Sequence, residues 1–85
     1  MPLLFIGIDP NSDDNDSPTV WVDREKQELV LQGWKPDKAL EAECADFHVP
    51  GHARGIPGHE AVIRVPARMV SMIREACCEL EQNGV

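Results

Sequence analysis

The sequence predicts a small α+β domain, in which a three- to four-stranded, mainly antiparallel sheet is packed by a C-terminal helix in the order βββαβα. Three observations predict this class: a short apolar run near the N-terminus, two β-rich segments separated by a charged turn, and a final segment with helical periodicity. Because the chain has 85 residues, we expect a single α+β domain over residues 1–85.

Four segments are typical of strands. The apolar run from Leu3 to Ile8 ends at Asp9-Pro10 and is short enough to be a buried strand. Residues 19–23 and 28–34 are rich in β-branched and apolar side chains and flank a charged turn, so they predict a hairpin. The segment from His59 to Val65 predicts one further strand. Both faces of the hairpin carry apolar side chains, so we expect helices to cover one face fully and the other in part.

Two segments are typical of helices. The first begins at Pro36-Asp37 and runs to about Asp46, with Asp37 as its N-cap. The second begins at Pro66 and runs to about Gln82, before the stop signal Asn83-Gly84. Apolar residues recur at helical spacing in both. They are Leu40, Cys44 and Phe47 in the first helix, and Met69, Val70, Ile73, Ala76, Cys77 and Leu80 in the second.

The charge balance argues against nucleic acids and membranes as direct partners. The chain has 15 acidic and 8 basic residues, a formal net charge of −7. An anionic protein is repelled by phosphate backbones and anionic lipids, and the basic residues are spread along the sequence. The N-terminus lacks the features of a signal peptide, and an odd number of cysteines is a poor disulfide framework. We therefore expect a cytoplasmic protein.

The acidic loop after the first strand suggests a calcium site but departs from the motif at two positions. Asp9, Asn11 and Asp13 have the 1, 3, 5 spacing of a calcium loop. The sixth position is Asp14 instead of glycine, and the twelfth is Val20 instead of a bidentate glutamate. The bend and the closing ligand are both missing, so we interpret residues 9–18 as a solvated connection.

A second set of residues has the composition of a transition-metal site. Cys44, His48, His52 and His59 supply four nitrogen or sulfur ligands, the number that zinc prefers. The spacing lacks the closely paired ligands of structural zinc sites, and Cys44 falls where the first helix needs an apolar residue. We expect no metal or other cofactor, and keep these four residues as the alternative site.

No catalytic residue is predicted, and two tryptophans are the candidates for contact with a partner. Cys77 lies on the apolar stripe of the last helix, while Cys78 points about 100° away. Trp21 and Trp34 lie in the two strands of the predicted hairpin and form either part of the core or an aromatic patch that anchors a partner.

Three segments carry a resemblance to a known group of proteins. They are LFIGIDPN from Leu4 to Asn11, the hairpin strings VWVD and LVLQGW, and HEAVIRVPARM from His59 to Met69. On these strings, about a third of the chain, the sequence resembles small, uncharacterised actinobacterial proteins of streptomycete type. The resemblance implies a partner of a helix-turn-helix regulator, and hence a role in transcription regulation. It offers no catalytic residue.

The sequence thus predicts a small acidic protein-interaction domain that modulates a helix-turn-helix transcription regulator. The alternative is a small metal-binding protein or enzyme that uses the Cys/His segment 44–59. Self-association stays open at this point, because apolar residues on a second sheet face are typical of a homodimer.

Overall fold

The computed structural model describes residues 3–11 and 16–84 and contains six elements. Three strands come first: β1 (Leu3–Ile8), β2 (Thr19–Asp23) and β3 (Glu28–Gln32). They form an antiparallel sheet of order β1-β2-β3. Helix α1 (Lys38–Asp46), a 3₁₀ turn (Ala67–Met69) and helix α2 (Val70–Gly84) follow. The α+β class, the hairpin and the C-terminal helix on the sheet are therefore confirmed.

The chain forms two compact units. Unit 1 contains residues 1–33 and 65–85, and unit 2 contains residues 34–64. The expectation of a single domain over residues 1–85 stays a prediction. No helix in the described part of the chain is both long and apolar enough to cross a bilayer.

The core of unit 1 lies between α2 and one face of the sheet. Val20 and Val22 of β2 are fully buried, as are Met69 and Ala76 across from them. Leu4, Ile6, Leu31, Met72, Ile73 and Leu80 pack around this centre. Alternate residues of a strand point to opposite faces, so the buried valines fix which face of β2 meets the helix.

Helix α2 buries a slightly different stripe from the predicted one. Val70, placed on the apolar stripe by its spacing, is 48% exposed, and Met72 packs against the core in its place. Pro66 precedes the 3₁₀ turn as its N-cap, and the α-helix begins only at Val70. Met72 follows Met69 by three residues and precedes Ala76 by four, so the buried stripe keeps ordinary helical spacing.

The prediction of a fourth strand from His59 to Val65 is wrong. Between residues 59 and 65, only Arg64 bridges to another segment. It exchanges two backbone hydrogen bonds with Trp34, of 2.8 and 2.9 Å. The next hydrogen-bonding positions of that antiparallel ladder pair Pro36 with Val62 and Gln32 with Pro66. A proline has no backbone N–H, so the ladder ends on both sides of a single bridge.

Local hydrogen bonds explain the ends of the other elements. Asp37 caps α1 as predicted, and its Oδ1 accepts a 2.8 Å hydrogen bond from the Leu40 N–H. Phe47 ends this helix and is 74% exposed, so its predicted place on the apolar stripe is wrong. In the hairpin turn, Asp23 Oδ1 accepts from the Lys26 N–H at 3.0 Å. Gln27 closes the turn with a positive φ of 58°.

Candidate protein-interaction surface

The face of the sheet opposite α2 carries a row of apolar side chains, which we call the outward row. Phe5 of β1 lies opposite Trp21 of β2, and Trp21 lies opposite Val30 of β3. Phe5 is 56% exposed, while Trp21 and Val30 are half-buried. On the same face, β1 also presents Leu3 and Ile8, which are 39% and 44% exposed. Aromatic and aliphatic side chains presented side by side in this way are typical of contact surfaces.

Acidic groups lie at one end of this row. Leu3 pairs with Asp23, which in turn pairs with Glu28. The opposite end carries no charged residue: Ile8 pairs with Thr19, and Thr19 pairs with Gln32. Gln32 Nε2 donates a 2.7 Å hydrogen bond to the Ser17 carbonyl. The outward row is therefore apolar at its centre and negative at the hairpin end.

The two tryptophans do not form the predicted cross-strand pair. Trp21 lies in unit 1, and its partner in β3 is Val30. Trp34 lies beyond the end of β3, in unit 2, where it is half-buried and bridges to Arg64. The prediction that both tryptophans lie in facing hairpin strands is wrong for Trp34, since β3 ends at Gln32. Their role as partner-binding residues stays a prediction.

The structure does not gather the alternative metal ligands into a site. Cys44 is half-buried in α1, and His48, His52 and His59 are exposed. His59 Nε2 lies 4.0 Å from Glu60 Oε2, with its side chain 82% exposed. No group of three or more His, Cys, Asp or Glu side chains within residues 3–11 and 16–84 is placed to hold a metal ion. The alternative function therefore gains no support from this segment.

Asp9, the first residue of the proposed calcium loop, binds a cation of the protein itself. Its side chain is fully buried, and both carboxylate oxygens accept hydrogen bonds of 2.6 Å from the Arg68 guanidinium. Asp9 Oδ1 also accepts from the Asn11 N–H at 3.0 Å. The hydrogen bond to Asp9 and the negative charge of that carboxylate raise the pKa of Arg68, against the opposing effect of desolvation. The other loop positions considered, Asp13 and Asp14, lie outside the described residues.

This ion pair is the main feature that sequence reasoning missed. The sequence pattern shows only that Arg68 lies outside the apolar stripe of the last helix. Arg68 is 59 residues from Asp9 along the chain. No local signal connects the two. The pair joins the end of β1 to the 3₁₀ turn before α2, with a bidentate geometry that suits a guanidinium better than an ammonium. Its role is therefore structural, since it fixes the start of α2 over the sheet.

Unit 2 contains a cleft of about 510 Å³. Its lining combines the charged residues Lys35, Glu41 and Glu60 with the apolar residues Ile56 and Val62. The volume falls within the range of small-molecule pockets. Within the described part of the chain, however, no hydrogen bond connects the side chains of Lys35, Glu41 and Glu60, so their arrangement does not favour one kind of ligand.

No protein-family model, curated protein or solved structure matches the chain. Only the surfaces of the chain itself therefore bear on its function.

Proposed function

We propose that the chain is a small protein-interaction domain that binds a basic protein partner through the outward row. The observation that carries the proposal is the row itself, in which Phe5, Trp21 and Val30 lie side by side on the sheet face opposite α2. Binding hot spots are enriched in tryptophan and cluster near the centre of an interface, and Trp21 lies at the centre of this row.

The distribution of charge supports a basic partner. Unit 1 has ten acidic and four basic residues, so its formal charge is −6, whereas unit 2 has five acidic and four basic residues and a charge of −1. The negative field of the chain is thus concentrated on the unit that carries the outward row. Asp23 and Glu28 place part of that charge at one end of the row. Such a surface attracts a positively charged protein and speeds their encounter.

We propose a helix-turn-helix transcription regulator as the partner class. Proteins that bind DNA carry a basic surface, which complements an acidic unit. The resemblance described above points to the same class. A domain of this kind would modulate the regulator by covering a basic or apolar surface of it, without contact between the domain and DNA.

The test is a binding titration, by isothermal titration calorimetry, between the purified chain and the helix-turn-helix regulators of the genome that encodes it. Phe5→Ser removes an exposed aromatic side chain and is expected to weaken binding about tenfold or more. Trp21→Ala is expected to weaken it further. Phe47→Ser is the matched control, because Phe47 is 74% exposed but lies in unit 2.

Circular dichroism and thermal melting of each variant separate loss of binding from loss of fold, which is needed because Trp21 is half-buried. Raising the salt concentration should weaken binding, since the charge complementarity is screened. The proposal is overturned if none of the regulators binds, or if binding is insensitive to both Phe5→Ser and Trp21→Ala.

A further inference from the structure

Strand β1 is an edge of the sheet with little to protect it. In the described part of the chain it pairs with β2 alone. An edge strand presents unpaired backbone N–H and C=O groups, and natural proteins usually place charged residues or proline there to prevent further pairing. Residues 3–8 read LLFIGI and contain neither. The one protective feature of β1 is a bulge between Phe5 and Gly7.

Exposure of apolar side chains on the outward face is greatest along this same strand. Leu3, Phe5 and Ile8 are 39%, 56% and 44% exposed, whereas Trp21 and Val30 on the neighbouring strands are half-buried. Side chains of an edge strand have a neighbour on one side only. A strand added beside β1 would supply the missing neighbour and cover all three.

The absence of charge on β1 favours a second copy of the chain as the occupant, because a basic partner would gain no charge complementarity from this strand. Two chains of net charge −7 repel each other at most of their surfaces. β1 is the strand without a charged residue, since β2 contains Asp23 and β3 contains Glu28. At the other edge of the sheet, pairing of two β3 strands would bring Glu28 into the contact. A second copy therefore approaches β1 at the lowest electrostatic cost.

We propose that the protein forms a two-fold homodimer by antiparallel pairing of β1 with β1 of a second copy. The register that pairs Leu3 with Ile8 and Leu4 with Gly7 matches the faces of these four residues, and Phe5 and Ile6 then lie opposite each other at the bulge, where the ladder is interrupted. This register leaves Gly7 turned toward Met72, as in the single chain. The two sheets then form one six-stranded sheet, and the outward rows of both copies become continuous. The contact is small, so we expect a dissociation constant of about 10–100 μM.

Sedimentation velocity measures this association on the purified protein alone, at concentrations from about 1 μM to 1 mM. A reductant excludes disulfide bridging through the exposed Cys78. Leu3→Lys and Ile8→Glu should each raise the dissociation constant tenfold or more. The double variant should return it to within about threefold of the original, because each new lysine then faces a new glutamate of the other copy. Leu3→Lys is chosen because Leu3 pairs with Asp23 within its own chain. Phe47→Lys, in unit 2, is the control that should leave association unchanged.

Hydrogen exchange provides a second readout, since pairing at the edge slows amide exchange in β1 as the protein concentration rises. A protein that stays monomeric up to about 1 mM overturns the proposal. So does a dimer that both single variants preserve, or a double variant that fails to restore association. Because no partner protein is present, these outcomes are separate from the fate of the proposed regulator contact.

Discussion

Gly7 lies where β1 passes closest to α2, and replacing it with alanine tests that packing directly. A methyl group at this position would lie 2.7 Å from Met72 Sδ and 3.1 Å from Met72 Cγ. Non-bonded heavy atoms are most stable at about 3.5–4.0 Å, so the Met72 side chain must move by about 1 Å. Methionine is flexible, and the φ of Gly7 is not positive, so the backbone itself suits alanine.

Two opposing effects determine the magnitude for Gly7→Ala. Forcing extra volume into a packed contact costs about 1–3 kcal/mol. Alanine also restricts the unfolded chain, which returns about 0.4–1 kcal/mol. We therefore expect a net loss of about 1–2 kcal/mol in the free energy of unfolding. For a domain of this size, each kcal/mol lowers Tm by about 4–8 °C.

Urea denaturation followed by circular dichroism, on a double-mutant cycle with Met72→Ala, measures the contact. In the Met72→Ala background, Gly7→Ala should stabilise the protein by up to about 1 kcal/mol, because the atoms that it would meet are gone and the restriction of the unfolded chain remains. Gly58→Ala is the matched control, with no atom within 4 Å of the added methyl and an ordinary φ, so it should change stability by less than about 0.5 kcal/mol. A Gly7→Ala variant as stable as the original, or equal costs in both backgrounds, would refute the placement of Met72 against β1.

Three further changes test other parts of the fold by thermal melting. Gln27→Gly should change stability by less than about 0.5 kcal/mol, because relief of the positive φ of 58° is offset by loss of the 2.6 Å hydrogen bond from Gln27 Nε2 to the Arg24 carbonyl, and a loss above about 1 kcal/mol would count against that turn geometry. Asp9→Asn should lower Tm by several degrees near neutral pH, because Arg68 loses its charged partner. The pKa of Arg68 is raised, so Arg68 stays charged near neutral pH and its contribution to stability is lost only in strongly alkaline solution. Met69→Ala should cost about 2–5 kcal/mol because Met69 is fully buried, and a cost under 1 kcal/mol would contradict its place in the core.

Periodicity in the sequence predicted most of the elements but failed where a non-local partner decides the structure. β1 has the predicted bounds, Leu3–Ile8, yet it is a half-exposed edge and not the buried strand expected. The apolar run showed that a strand forms there, but its number of neighbours depends on the topology. Residues 59–65 have equally good β-propensity and form one bridge, since Pro36 and Pro66 end the ladder.

The candidate site was predicted in part. Trp21 lies on the face of the sheet opposite Val20 and Val22, as alternation along the strand predicts, and its role in binding a partner stays a prediction. Phe5, the most exposed member of the outward row, was not singled out, because nothing in the sequence shows which strand lies beside Trp21. The Asp9–Arg68 pair joins residues 59 positions apart and leaves no periodic trace.

If one face of the sheet forms the core and the other binds a partner, linkage between binding and stability distinguishes the two faces. In the described part of the chain, only four hydrophobic residues are fully buried: Val20, Val22, Met69 and Ala76. Any species that binds only the folded state stabilises it, by about 2.7 kcal/mol at a hundredfold excess over the dissociation constant, and in a domain with so small a core that is a large share of the total stability. If the outward row binds a partner or a second copy, Tm must rise with the concentration of that species. Met72→Ala, on the face that packs against α2, should lower Tm at every concentration and leave the dependence of Tm on concentration unchanged. Ile8→Glu, on the outward face, should remove the dependence of Tm on the chain's own concentration. A chain in which both variants shift Tm equally at all concentrations would contradict this division of the sheet into a core face and a binding face.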